Sequence, residues 1–203
     1  MYVATLIANS KNRNLSELIL KQVVNDLGGV KYKVLDDNIA IDINLVSEPS
    51  NFEIVWKQLQ KHQIDMVLQP IKNRRKKILL ADMDSTMIEQ ECIDELADEA
   101  GVGKRVAEIT KRAMNGELNF EDALIERVKL LKGLSSDIIV NVLKGRITLM
   151  PGAESLIKTM KRNGSYCALV SGGFTDFTEA ISKMLGFDEN RANTLLHENE
   201  MLS

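Results

Sequence analysis

Four apolar residues, Ile78-Leu79-Leu80-Ala81, run without interruption into two acids, Asp82 and Asp84. An apolar run with no alternation reads as a strand buried on both faces, as in a parallel sheet between helices. Parallel strands need long, usually helical crossovers, so this segment commits the chain around it to an α/β architecture. Ligands of open α/β sheets bind at the carboxyl ends of the strands, which is where the two acids stand.

The following sequence supplies the crossover. Residues 91–100 have helical character and stop at Gly101, 104–114 stop near Gly116, and 120–131 have Asn119 placed as N-cap and Gly133 after their end. Ser135 or Ser136 can cap a further helix over 137–144, and another runs from Pro151-Gly152 to about Arg162, with Gly164 as its stop. Residues 166–170 read as a second buried strand, followed by Ser171-Gly172-Gly173 as a turn and a helix over 174–185 ending at Gly186. Residues 193–196 and 201–202 look like the start of a hairpin. The expected unit, 77–203, is an incomplete Rossmann-like parallel sheet with a helical cap inserted at about 90–145.

Residues 1–70 have a different texture. They read as strand, helix, strand, strand, helix, strand, with Asp36-Asp37-Asn38 as the turn between the middle strands. That is the split βαβ, ferredoxin-like α+β order. Residues 70–76 are expected to form a linker, and the run Arg74-Arg75-Lys76-Lys77 a solvated part of it. A formal charge of −3 and a pI near 5.6 argue against a nucleic-acid partner. No apolar run approaches the roughly 20 residues of a membrane span, and the N-terminus has no signal-peptide pattern. Cys92 and Cys167 lack metal-ligand spacing and read as reduced thiols of a cytoplasmic protein.

Asp82 and Asp84 can share a hard cation such as Mg²⁺, which prefers oxygen ligands. Their spacing also allows one acid to attack as a nucleophile while the other moves protons. The bland alternative for any D-x-D is a turn at a strand end. A calcium-binding EF-hand loop fails, because its sixth position would be Met87 and its twelfth Ile93. A Ser-Gly-Gly turn lets backbone N–H groups converge on an anion ahead of a helix N-terminus, although an ordinary strand-to-helix turn has the same composition.

The full string Asp82-Met83-Asp84-Ser85-Thr86 is a D-x-D-x-T signature, and here the sequence resembles the haloacid dehalogenase superfamily of phosphatases. The stretch 91–97, Met114-Asn115-Gly116, Asn119-Phe120, Arg127-Val128 and Ser171-Gly172-Gly173-Phe174 are similar, in the same order, to the members that act on phosphoserine. The resemblance implies an Mg²⁺-dependent phosphomonoesterase forming serine, in amino-acid biosynthesis, through an aspartyl-phosphate. It implies Asp82 as nucleophile and metal ligand, and Asp84 as proton donor and acceptor and metal ligand through its carbonyl. It further implies Glu91 for the substrate ammonium, Arg127 for its carboxylate, Ser171 and Gly172 for the phosphate, Thr86 as a loop brace, and Met114 and Phe120 as apolar cover. The first domain resembles small regulatory ACT-like domains, which implies amino-acid sensing and pairing of two copies through that domain.

The sequence departs from the family after Gly173. The lysine that screens the phosphate and the acidic loop that completes the metal site have no counterpart, since Lys183 comes too early and Asp188 lacks glycine-rich context. The expectation is a truncated member with little phosphatase activity by itself. Two other readings stay open: a phosphatase for another small phosphomonoester, and a non-catalytic amino-acid sensor.

Overall fold

The computed structural model describes residues 1–203. The chain divides into two compact units, Met1–Arg75 and Lys76–Ser203.

The first unit contains β1 (Tyr2–Ala8), α1 (Glu17–Leu27), β2 (Lys31–Asp36), β3 (Ala40–Leu45), α2 (Phe52–Gln60) and β4 (Ile64–Pro70). Its four strands lie in the order β2-β3-β1-β4 with antiparallel pairing throughout. Period-two alternation places Ala4, Leu6, Ala8, Ile41, Ile43, Ile64 and Met66 on one face, packed with Leu20, Val23, Val55 and Leu59 of the helices. Ser16 caps α1 by accepting the Ile19 N–H, and Gly28 ends it at φ 67°.

On the opposite face, Thr5 of β1 stands beside Asp42 of β3. The Thr5 hydroxyl donates to Asp42 at 2.7 Å, and Arg74 grips both carboxylate oxygens at 2.5 and 2.8 Å. This corrects the expected solvated linker at Pro70 and Arg74, while Arg75, Lys76 and Lys77 are exposed as expected. Pro70 belongs to β4, and Arg74 folds back onto the sheet because a buried carboxylate needs a charged, bidentate partner.

The second unit begins with β5 (Ile78–Ala81) and continues through α3 (Cys92–Glu99), α4 (Gly103–Met114), α5 (Phe120–Lys129), α6 (Asp137–Gly145) and α7 (Ala153–Arg162). It then forms β6 (Tyr166–Phe174), α8 (Thr175–Leu185), β7 (Glu189–Asn193), β8 (His197–Glu198) and β9 (Met201–Leu202). β5, β6 and β7 make a parallel sheet in that order. Leu79, Ala81 and Leu169 pack with Phe174, Phe177 and Ile181 and with Leu96, Ile139 and Val142 of the inserted helices.

Three expectations need correction. β5 is not buried on both faces: Ile78 and Leu80 are 64% and 70% exposed. Ser171, Gly172 and Gly173 do not form a turn but prolong β6, with a register shift between Val170 and Phe174. Asn193 closes the parallel strand β7, and the hairpin starts only at His197. β7 carries no apolar alternation, so nothing in its composition announced a strand.

The chain leaves the sheet after β5 and returns before α7 by two segments that bind each other. Glu89 N–H donates to the Thr148 carbonyl at 3.0 Å and Met150 N–H to the Met87 carbonyl at 3.0 Å. The Gln90 amide adds bonds to the Thr148 hydroxyl and backbone N–H at 2.8 and 2.9 Å.

Candidate active site

The loop after β5 is built around the Met83 carbonyl, which accepts N–H groups from Thr86, Met87 and Ile88 at 3.2, 2.8 and 3.1 Å. Ser85 adopts φ 50°, in the left-handed region, and its N–H donates to the Gln90 carbonyl at 3.1 Å. Its hydroxyl then reaches the Glu91 carboxylate at 2.6 Å. Thr86, read as the brace, uses its backbone N–H for that purpose; the bracing side chain is that of Ser85.

Asp84 is pinned from two sides. The Cys92 N–H at the start of α3 donates to its Oδ1 at 2.8 Å, and the Ser171 hydroxyl donates to its Oδ2 at 3.2 Å. A helix N-terminus favours negative charge at that position. The Ser171 hydroxyl also accepts the Gly173 N–H at 2.8 Å, which ties the two strand ends together. Asp82 is exposed, and no side chain or backbone N–H holds its carboxylate. One acid is therefore held by two hydrogen bonds and the other stands open.

The glycines after Ser171 are needed for room. A Cβ on Gly173 would lie 3.0 Å from Asp84 Oδ2, and one on Gly172 would lie 3.2 Å from the Phe120 ring. The Gly172 carbonyl accepts from the Asn193 amide at 2.8 Å, so the end of β7 also steadies this strand.

A cavity of about 680 Å³ opens over these residues. The sequence singled out Asp82, Asp84, Glu91, Arg127, Ser171, Gly172, Met114 and Phe120, and all eight line it. Arg127 anchors its Nε to the Ala123 carbonyl at 3.2 Å, leaving the end of its fork toward the cavity. Sequence reasoning passed over two polar lining residues, Asp94 and Thr110. Burial against the cavity wall pushes the Asp94 carboxyl up, with Arg127 opposing and the charges of Asp98, Glu95 and Asp84 adding to the rise. Burial also pushes the Cys92 thiol far up, reinforced by Asp84, which keeps it inert. The signal that could have found Asp94 is its spacing of three from Glu91, which puts both on one helix face.

Lys183 is exposed on α8 and does not line the cavity. Asp188 precedes β7, at the other end of the strands, where it pairs with Lys161 and accepts the Cys167 N–H at 2.8 Å. No lysine lines the cavity, and no group of three or more His, Cys, Asp or Glu side chains is arranged to hold a metal. No helix is long and apolar enough to cross a membrane.

A family model for haloacid dehalogenase-like hydrolases matches residues 79–202. A phosphoserine phosphatase of Archaeoglobus fulgidus is 44% identical over 149 residues, covering 72% of this chain and 43% of its own length. One from Saccharomyces cerevisiae is 32% identical over 207 residues, covering 96% of this chain and 67% of its own. A solved structure described as a phospho-aspartyl intermediate analogue of phosphoserine phosphatase superposes with a TM-score of 0.58 at 46% identity, covering 64% of this chain and 61% of that one. The chain thus spans less than half of the Archaeoglobus fulgidus relative's length.

Proposed function

This chain belongs to the haloacid dehalogenase-like hydrolases, and from that premise we propose that it is a phosphoserine phosphatase, hydrolysing O-phospho-L-serine to L-serine and phosphate. The observation that carries the reading is the division of labour between the two acids, Asp82 open to the cavity and Asp84 held by Cys92 and Ser171. Glu91 and Arg127 across the same cavity favour an amino acid over another phosphomonoester, because they offer opposite charges to an ammonium and a carboxylate.

In this mechanism the Asp82 carboxylate attacks phosphorus and the serine oxygen leaves. Asp84 gives that oxygen its proton, then takes one from the water that cleaves the aspartyl-phosphate. Ser171, Gly172 and the start of α8 receive the phosphate, and Phe120 and Met114 exclude water. The donor set suits Mg²⁺, which binds through one or two carboxylates plus substrate phosphate: the Asp82 side chain and the Asp84 carbonyl would hold it. When bound, the ion supplies charge neutralisation between phosphate and carboxylate. With no lysine among the lining residues, phosphate charge is screened less, so binding is expected to be easier to measure than turnover.

The test is calorimetry of phosphoserine with the 203-residue chain in Mg²⁺, followed by phosphate release. The expected result is binding that needs Arg127, with any turnover lost in Asp82→Asn. Binding of phosphoethanolamine as tight as that of phosphoserine would overturn the substrate, and release that survives Asp82→Asn would overturn the mechanism.

A regulatory role for residues 1–75 is favoured by the strand order β2-β3-β1-β4, which resembles ACT-like domains. In this part of the proposal the unit senses an amino acid and pairs two copies of the chain. Serine should then still bind a Glu91→Ala variant, and sedimentation should give a dimer.

A further inference from the structure

We propose that Asn193 is a positioning residue for the reaction: it sets the direction of the Gly172–Gly173 peptide and, through the Ser171 hydroxyl, the orientation of the Asp84 carboxylate. The inference rests on the phosphatase reading above and adds to it a residue that does not line the cavity.

β6 and β7 are in register at Val170 with Arg191 and again at Phe174 with Asn193. Ser171, Gly172 and Gly173 therefore stand opposite Ala192 alone, as a bulge whose extra residues the ladder does not hold. Both glycines are required for room, one against the Phe120 ring and the other against Asp84 Oδ2. The peptide between them has no Cβ on either side, so side-chain sterics leave its rotation nearly free.

Hydrogen bonds fix it instead. A trans peptide points its C=O and N–H in opposite directions. The exposed Asn193 amide at the end of β7 donates to the Gly172 carbonyl at 2.8 Å, which sends the Gly173 N–H the other way, onto the Ser171 Oγ at 2.8 Å. With that lone pair taken, the Ser171 hydroxyl gives its single proton to Asp84 Oδ2 at 3.2 Å. The three bonds form one chain in which each donor polarises the next. With the peptide reversed, the Gly172 carbonyl would face the Ser171 oxygen beside the Asp84 carboxylate. That crowds acceptors together where phosphate, also an acceptor, is proposed to sit.

The test uses the full chain and Asn193→Leu, which keeps the branched shape of the side chain and loses the donor. Amide hydrogen exchange read by NMR without ligand is expected to speed up about tenfold at Gly173, the size of one hydrogen bond, and to stay within about twofold at Leu169 in the same strand. Ser171→Ala, which removes the acceptor of the Gly173 N–H, gives the full size of that effect for comparison. The Cys92 amide signal is expected to move in Asn193→Leu, because that N–H donates to Asp84 Oδ1. Calorimetry in Mg²⁺ is expected to show phosphoserine binding weakened by about tenfold. Exchange that rises equally at Leu169 would mean that Asn193 only pairs strands, and would overturn the proposal. An unmoved Cys92 signal would overturn the link to Asp84. Unchanged exchange at Gly173, or unchanged phosphoserine affinity, would overturn the proposal and leave the phosphatase reading standing. If the unmodified chain binds no phosphoserine, that reading fails and the proposal falls with it.

Discussion

The Phe120 ring stands over Gly172 so closely that a Cβ there would come within 3.2 Å of Cζ. A cap residue is thus seated directly on the strand proposed to receive phosphate. Gly172→Ala should push the ring outward and weaken phosphoserine binding by about tenfold, while stability changes by less than about 1 kcal/mol, because Phe120 is 65% exposed and can move. Adding Phe120→Ala should restore the fit of the strand but not the cover. Calorimetry and thermal melts on the single and double variants check both halves.

Gly173 is less forgiving. A Cβ there would meet Asp84 Oδ2 at 3.0 Å and Ser171 Oγ at 3.1 Å, and both atoms are held by hydrogen bonds. Gly173→Ala should displace the carboxylate proposed to carry the proton and lower any turnover more than Asp84→Asn does. Asp84→Asn still accepts the Cys92 N–H and should lose only the proton transfer, about 10²–10⁴-fold. Phosphate-release rates for the two variants give the ranking, and a milder effect from Gly173→Ala would count against it.

Asp42 makes the first unit acid-sensitive. Burial raises its pKa, but the hydrogen bonds from Arg74 and Thr5 and the charges of Arg74 and Lys33 outweigh that, so the carboxyl titrates below its ordinary value. A group lowered on folding stabilises above its unfolded pKa, about 3.9, and that stability disappears as pH falls through the lowered folded value. Arg74→Ala should therefore cost about 2 kcal/mol at neutral pH, with a smaller penalty in strong acid. Urea melts at pH 7 and pH 3 read the difference.

Asp188 is predicted to be structural and not a metal ligand. Asp188→Asn should lower the melting temperature by loosening Lys161 and the Cys167 N–H. Phosphoserine affinity should not change. A change in Mg²⁺-dependent binding in that variant would refute the assignment.

The elements legible in the sequence were those whose burial is written in composition. The runs through Leu79 and Leu169, the Asn119 cap and the glycine stops all appear where residue chemistry demanded them. β7 was illegible because Glu189–Asn193 is polar and its strand character comes from pairing with β6. Arg74 was misread because a linker arginine looks solvated until a buried acid 32 positions away is seen to need it. In the site, a motif disclosed Asp82 and Asp84, but Asp94 and Thr110 sit among ordinary helix residues, and only the fold turns them toward the cavity. The exposure of Ile78 and Leu80 was hidden for the opposite reason, since an apolar run does not say which face finds a neighbour.

The paired segments on either side of the inserted helices have a mechanical meaning. Two separate strings would let the helical module swivel, but Glu89 with Thr148, Gln90 with Thr148, and Met150 with Met87 make them one ribbon. The module does not hang on that ribbon alone: Leu96, Ile139 and Val142 share the core of the parallel sheet, and Gly133 N–H and Leu202 N–H donate to the Leu202 and Leu134 carbonyls, so ribbon and core together hold Phe120 in register with Gly172. The same arrangement places the module's entry and exit side by side. Everything from Cys92 to Gly145 thus enters and leaves through one bonded pair of segments, and a change in how that pair sits would be felt at Asp84 through the Cys92 N–H.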